Sequence, residues 1–476
     1  MSRVLSVASE CAPLIKTGGL GDVVGALPAA LAPQGVEMKV LLPGYPAVLT
    51  GLEGVREVMR EDDLAGGTGR VLAARRAGLD LLVLDAPHLF DRDGSPYLGP
   101  DGRDWPDNPE RFAALSLVAA RIGRMGVDGW HPDVLHCHDW QAGFAPLFMQ
   151  RMEGGRPAGS VMTIHNMAFH GLAPQERIEA LGLPRDDFNS DGYEFWGHVS
   201  ALKAGLVHAD RLTTVSPNYA RELMTPEFGM GLDGVIRARR ADLCGILNGI
   251  DTEAWDPAHD PHIARFRSGR GKSRAKRALL EEFGLAEGSG PLAIVVSRLT
   301  EQKGLDLLLE ALPRFVELGG QLALLGSGNA DLEERWREAA RAHDGVGVVI
   351  GYDEALSHRM MAGADAILVP SRFEPCGLTQ LYGLRYGTVP VVALTGGLAD
   401  TVIHASPAAL AAGAATGIQF WPAATDPLIG ALEHLVALYG DDRTWSKIIR
   451  NAMRQPVGWN VSAQAYAELY REIGQS

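Results

Sequence analysis

Residues 366–392 read AILVPSRFEPCGLTQLYGLRYGTVPVV, and these 27 positions decide the fold. An apolar run ends at Ser371, and a loop then carries Arg372, Glu374 and Gly377. Apolar residues recur at helical spacing from about Leu378, and a second apolar run fills 389–392. Continuous apolar runs of this length are strands covered on both faces, the condition inside a parallel sheet flanked by helices. Strand, helix and strand in that order make one βαβ unit with a right-handed crossover.

The same signature spreads outward along the chain. RVLSVAS, EMKVLLPG, DLLVLDA, DVLHCHD, SVMTIHN and RLTTVS form one series, and LAIVVSR, QLALLGSG and VGVVIGY join the two runs above in another. Between them, residues 247–284 are rich in proline, glycine and charge and show no strand pattern before LAIVVSR. The α/β chain is therefore expected as two Rossmann-like domains facing each other across a cleft, with a boundary near Gly245 and spans of 1–245 and 246–455. The tail reads as a helix, a Pro-Val-Gly break and a final helix within 456–476. SPAALAAGAATG, at 406–417, reads as a surface loop.

With 476 residues the chain exceeds the 250–300 or so that one core usually serves. Hydrophobic residues make up 46%, enough to fill two cores. Against 44 Lys and Arg stand 58 Asp and Glu, a formal charge of −14, which argues against nucleic acid as a partner. A small anion remains within reach of a few local cations. Cys11, Cys137, Cys244 and Cys376 are scattered without a CxxC pair, so neither zinc nor a disulfide framework is expected, and no metal or cofactor is assigned. The N-terminus lacks the apolar core of a signal peptide, and no run of about 18 apolar residues predicts a membrane span. A cytoplasmic protein with no membrane partner is the expectation.

Ligands of open α/β sheets sit beyond the carboxyl ends of the strands, so polar residues that follow strands are the candidates. KTGGLGDV, residues 16–23, follows the first strand. It is neither a dinucleotide fingerprint, since Val24 stands at the third glycine position, nor a phosphate loop of Walker type, since Lys16 precedes the glycines. An anion site and a plain glycine turn remain equally open there. LAIVVSR ends at Arg298, and Lys303 lies near the start of the following helix, where the macrodipole opposes a cation and a bound anion would compensate; a solvated surface pair is the alternative, and the other residues on the same rim favour the anion. The helix start after Gly377 offers unpaired amides, and Glu374 can accept hydrogen bonds from sugar hydroxyls or cap the helix. Together these point to a sugar phosphate or nucleotide sugar. His136, His138, Asp139 and Trp140 close one strand of the first series, and His165 and Asn166 another. The histidine spacing fits no zinc site. Trp140 suits stacking on a sugar face and equally a packed core. GSGNADLEERW, from Gly326, fits close backbone packing about as well as ligand contact.

At these residues the chain resembles the bacterial glycogen synthases and plant starch synthases. The likeness is densest in KTGGLGDVVGALP, LHCHDWQAG, TIHNMAFHG, LNGID, SRLTEQKGLDL, residues 350–392 and TGGLADTV. It implies a GT-B enzyme whose final helix crosses back to the first domain, and which moves glucose from ADP-glucose to the end of an α-1,4-glucan with retention of configuration. Carried over by position, Lys16, Gly19 and Asp22 would meet the distal phosphate and glucose, and Arg298 and Lys303 the diphosphate. Gly377, Leu378 and Thr379 would offer amides to the same group. Glu374 would hold glucose hydroxyls, with His165 against the sugar, and Asn166 follows His165 in the same motif. Asn248 and Tyr352 would line the nucleotide, and Asp139 and Trp140 the acceptor. Two departures stand out, Gly21 for the usual alanine and Gln141 for a histidine; Tyr382 stands where wider relatives place a ribose-binding glutamate, as it normally does in these synthases. Gly21 should be mild, and Gln141 should alter contact with glucan.

With Glu374 the one obvious cleft carboxylate, a front-face displacement without a glucosyl-enzyme is expected, the departing phosphate taking the acceptor's proton. Closure of the two domains on the donor is expected to assemble the cationic groups. A transferase acting on glucose 1-phosphate, and an inactive glucan-binding homologue, are the competing readings.

Overall fold

The computed structural model describes residues 1–474. They form two compact units, one of Met1–Val215, Ala220–Leu247 and the chain from Trp459 on, the other of Ser216–Tyr219 and Asn248–Gly458.

The first unit is built on strands β1 (Ser2–Val7), β2 (Val36–Pro43), β3 (Glu53–Leu64), β4 (Gly67–Arg76), β5 (Leu79–Asp85), β6 (Val134–His138) and β7 (Gly159–Ile164). β8 (Leu172–Pro174), β9 (Glu194–Phe195), β10 (His198–Ser200), β11 (Arg211–Thr214) and β12 (Leu243–Gly245) complete it. Its main sheet runs β12-β11-β7-β6-β1-β2-β5-β4-β3, with β8-β10-β9 as a separate small sheet. From β12 to β5 every pairing is parallel. The apolar runs read from sequence are these parallel strands. Val4, Val134 and Val161 meet Val23, Leu27 and Leu31 of the helix Gly19–Leu31 and Tyr466, Tyr470 and Ile473 of the helix Trp459–Gly474 in one buried cluster.

The wholly parallel expectation needs correction here. β3 and β4 are antiparallel, as are β4 and β5. Ala65 and Gly66, with φ of 49° and 84°, supply the two positive-φ positions of a tight hairpin. β3 is exposed and charged along most of its length because it is the sheet's edge, where charge discourages pairing with another chain. No apolar run could mark it.

The second unit holds β13 (Leu292–Val296), β14 (Gln321–Gly326), β15 (Val346–Ile350), β16 (Ala366–Val369), β17 (Val389–Ala393) and β18 (Ile418–Phe420). The order is β15-β14-β13-β16-β17-β18, parallel throughout. Helix Leu305–Glu317 packs one face through Leu308, Leu312 and Phe315, and helix Thr379–Tyr386 the other through Leu381 and Leu384. The alanine-rich segment 406–417 is not loop throughout. Pro407–Ala411 is a short helix, its first turn capped by the Ser406 hydroxyl, which accepts from Ala409 N. Serine at the cap, proline at the first position and alanines beyond are the preferred order for a helix start. No helix of the described residues is long and apolar enough to cross a membrane.

Candidate active site

In the second unit, β13 and β16 are neighbours, so the segments leaving their carboxyl ends lie side by side. They wall a cavity of about 170 Å³ lined by Arg298, Lys303, Ser371, Glu374 and residues 377–379, among others. Lys303 closes the 3₁₀ turn Glu301–Lys303, ahead of the helix Leu305–Glu317. Its Nζ donates to Glu374 Oε2 at 2.5 Å, and Ser371 Oγ donates to the same oxygen at 3.0 Å. The cation expected to need a bound anion is thus already balanced by a carboxylate of the protein. Arg372, from the same loop, is turned to Asp306, which accepts two bonds at 2.7 and 2.6 Å. Arg298 is exposed and has no ion-pair partner among the described residues.

Gly377, at φ 71°, turns the chain into the helix Thr379–Tyr386. The amides of Gly377, Leu378 and Thr379 donate to no acceptor among the described residues, leaving a helix start free for an anion. Gly396 and Gly397 hold this loop from behind. A Cβ at Gly396 would stand 2.0 Å from Glu374 O, and one at Gly397 2.2 Å from Cys376 O. Gly397 N donates to Pro375 O at 3.0 Å. One place therefore gathers Arg298, Lys303, Glu374, Gly377, Leu378 and Thr379.

Asn248, Tyr352 and Tyr382 do not line that cavity. Tyr382 stacks on Trp255 with centroids 3.8 Å apart, and Trp255 stacks on His358 at the same separation. Tyr352 is 79% exposed just past β15, its hydroxyl on Glu354. Asn248 is buried, and its Oδ1 meets no partner. At Gly326 and Gly328 close packing prevails: added Cβ atoms would lie 2.0 Å from Ser297 O and 2.5 Å from Leu299 O.

In the first unit the carboxyl ends of adjacent β1, β6 and β7 carry Glu10, Asp139 and His165. Asp139 sits at φ 53°, a left-handed position for a residue other than glycine. Its Oδ1 accepts from His165 N at 2.7 Å. Burial pushes its carboxyl up to about 7, the Glu10 charge adding to the effect, while bonds from the His165 and Asn166 amides restrain it. His165 Nε2 pairs with His138 Nδ1 at 3.0 Å, and His138 Nε2 with Ser6 Oγ at 3.1 Å. Burial holds His165 and His136 down at about 3 and His138 well below its usual value, so all three rings are neutral at ordinary pH. His136 is a core residue, bonded to Tyr470 and Thr163. Asn166 Oδ1 accepts from Ala168 N at 3.0 Å, closing a turn. Trp140 packs edge-on against Phe112, and the backbone at Gly171 lies against its indole.

The glycine loop meets carboxylates of its own. Lys16 pairs with Asp22 at 2.8 Å. Glu10, 2% exposed, accepts from Thr17 N, Thr17 Oγ1 at 2.6 Å, Gly18 N at 3.2 Å and Tyr97 OH. No atom comes within 4 Å of a Cβ built on Gly19, so the first turn of the helix stays open beyond these bonds. Glu10 and Ser371 are not assigned a role by the sequence pattern, though each stands within three residues of the end of a strand, where site residues of such sheets lie. Trp255 carried no such signal, lying in the strandless segment. Gln141 is 6% exposed, and its Oε1 is buried with no partner among the described residues. At Gly21 a Cβ would meet Ile15 O and Lys16 at an ordinary 3.4 Å. Among the described residues no group of three His, Cys, Asp or Glu could hold a metal ion.

Comparison with known proteins adds a pedigree to this geometry. A family model described as the starch synthase catalytic domain matches residues 3–238, and one for glycosyl transferases group 1 matches 279–440. The glycogen synthase of Paracoccus denitrificans (strain Pd 1222) is 60% identical over 474 residues, 99% of this chain and 100% of that one. That of Jannaschia sp. (strain CCS1) is 58% identical, covering 99% of each. Among solved structures, the catalytic domain of starch synthase IV from Arabidopsis thaliana, bound to ADP and acarbose, superposes with a TM-score of 0.88 at 32% identity and full coverage of both chains. A sucrose-phosphate synthase from Thermosynechococcus elongatus shares the fold at 18% identity, with a TM-score of 0.61 and 99% coverage of both chains.

Proposed function

The chain belongs to the glycogen synthase family, with its GT-B fold, and from that membership we propose that it transfers glucose from ADP-glucose to the non-reducing end of an α-1,4-glucan, with retention. One observation carries the reading. Arg298, Lys303, Glu374 and the free amides of residues 377–379 converge on one cavity, where a diphosphate and the sugar joined to it can be held together. Arg298 and the helix start receive the phosphates, and negative charge growing on the departing ADP meets donors already in place. Glu374 binds glucose hydroxyls. Its pairing with Lys303 and Ser371 favours this role over attack on the anomeric carbon, because a carboxylate so held is a poor nucleophile. The leaving phosphate therefore takes the acceptor's proton as the new glycosidic bond forms on the same face. Asn248 and Tyr352 are assigned to the nucleotide. In the first unit, Lys16, Gly19, Asp22, His165 and Asn166 are assigned to the sugar side, and Asp139 and Trp140 to the acceptor.

The test is to incubate the purified protein with ADP-glucose or UDP-glucose, pairing each with glycogen or glucose 1-phosphate. ADP release and glucan growth with ADP-glucose and glycogen are expected. Growth only on glucose 1-phosphate, or no nucleotide release with any pair, overturns the proposal.

A further inference from the structure

Trp196 is the most exposed tryptophan of the described residues, at 81%, and it occupies a position that disfavours it. β9 ends at Phe195 and β10 begins at His198, leaving Trp196 and Gly197 as a two-residue hairpin turn with φ of 51° and 80°. Both positions positive is the type that asparagine or aspartate followed by glycine fills without strain. A bulky side chain there is an outlier, and outliers of this kind are retained where the side chain has work to do. Its contacts are few: Phe195 stands edge-on at 6.4 Å, and the indole nitrogen lies against the backbone at Gly231.

The turn is also linked to the acceptor-side residues of the same unit. Phe195 packs edge-on against His170 at 4.7 Å, and the next residue, Gly171, lies against Trp140. β8, which starts at Leu172, pairs with β10 from Ser200 to His198, so the small sheet runs from beside Trp140 out to Trp196. Two residue steps of strand, from Ser200 to His198, place the start of the turn roughly 7 Å beyond its root. The turn also carries hydrogen-bonding groups: Glu194, whose Oε1 accepts from Gly197 N at 2.6 Å, and the exposed imidazole of His198, which meets Trp196 O at 3.1 Å. Phe169 and Leu172, 58% and 48% exposed, continue the apolar track near Trp140. An exposed indole on a turn that also presents a carboxylate and an imidazole suits a pyranose, which offers C–H bonds on one face and hydroxyls around its rim.

We propose that the β9–β10 hairpin is a second binding site for α-glucan, in which Trp196 stacks on sugar residues of a long acceptor well away from the end being extended. This rests on the reading of the acceptor as a glucan. Short acceptors do not reach the hairpin; polymers do.

The test compares the wild type with Trp196→Asn, which suits the turn, and Trp196→Phe, which keeps a ring. Migration in native gels containing glycogen and initial rates with glycogen and with a short malto-oligosaccharide are measured beside thermal midpoints. For Trp196→Asn the proposal expects about a three- to tenfold rise in KM for glycogen and loss of gel retardation. Unchanged rates on the short acceptor, an unchanged KM for ADP-glucose and an equal or higher melting temperature complete the pattern. Trp196→Phe should recover part of the retardation. Unchanged glycogen KM and mobility in Trp196→Asn overturn the proposal. So does a change of oligomeric state on sedimentation with glycogen binding intact, which makes the indole a contact between copies of the chain. If the wild type transfers no glucose yet its retardation depends on Trp196, the hairpin site stands and the transferase reading falls.

Discussion

Arg298 and Lys303 bring the same charge to one cavity but differ in what each holds up. Lys303 neutralises the largely buried Glu374 carboxylate, so Lys303→Ala leaves that charge unpaired with Ser371 Oγ still donating to it, at a cost of about 1–3 kcal/mol of stability. Arg298 is exposed and unpaired, and its removal should stay within about 0.5 kcal/mol. Both should lower kcat, each by a factor of roughly 10² to 10³ if it stabilises the departing phosphate. Steady-state rates at saturating ADP-glucose, set beside urea melts, separate the two effects; an Arg298→Ala enzyme with near-normal kcat refutes the electrostatic role. Asp139 yields a pH prediction. Burial pushes its carboxyl up to about 7 while the rings of His165, His138 and His136 are held neutral, so of these four groups Asp139 is the one expected to give the rate profile an inflection near neutrality. The folded value lies above the unfolded one, so ionisation opposes folding: the full stability present below about 4 is lost as pH rises through about 7. Asp139→Asn should abolish the inflection and gain in relative stability from pH 5 to 8, by thermal melts in a common buffer. Most of the residues gathered in the second unit's cavity were legible, because strand ends and helix starts mark them in the sequence. The pairing of Lys303 with Glu374 was not, since 71 positions separate the two and only the β13–β16 register makes them neighbours.

At the scale of elements, what burial made apolar could be read and what solvent left polar could not. The parallel strands are covered on both faces and announce themselves. The β3–β4 hairpin, the three short strands of the small sheet and β18 are exposed, charged or only a few residues long, and carry no periodic signal. The helix Thr379–Tyr386 was legible from its spacing, but its support was not. Gly396 and Gly397 lie about twenty positions on, and only the folded chain shows that their missing side chains admit the backbone of residues 374–376. Gly377 is where this element is most sensitive. A side chain at φ 71° is strained by about 1–2 kcal/mol, and its Cβ would stand 2.5 Å from Gln380 Oε1. Gly377→Ala should therefore lose somewhat more than that in urea unfolding and, by displacing the free amides, raise KM for ADP-glucose at least tenfold. A Gly377→Ala protein that is destabilised but keeps its donor KM would show that these amides do not hold the phosphates.

At the scale of the molecule the chain touches the second unit briefly at Ser216–Tyr219, builds it between Asn248 and Gly458, and returns to the first with its last helix. That return is part of the first unit's core. Trp459, Tyr466, Leu469, Tyr470 and Ile473 are all buried in it, and the Tyr470 hydroxyl bonds His136 on β6 at 2.7 Å. Burial of a large apolar side chain is worth roughly 1.5–3 kcal/mol, so these five together match the 5–15 kcal/mol or so by which a whole domain is stable. A chain ending at Gly458 should consequently lose the first unit while keeping the second, whose sheet and flanking helices are complete without it. Limited proteolysis with mass readout should show a resistant core within 248–458 and rapid loss of 1–247. Full-length Tyr470→Phe loses only a hydroxyl, at a cost of about 1–3 kcal/mol for the bond, and should protect both units. Equal protection of 1–247 in the truncated chain would mean that the first unit folds without its last helix, and that the buried faces of the helix Gly19–Leu31, β1, β6 and β7 suffice as a core on their own.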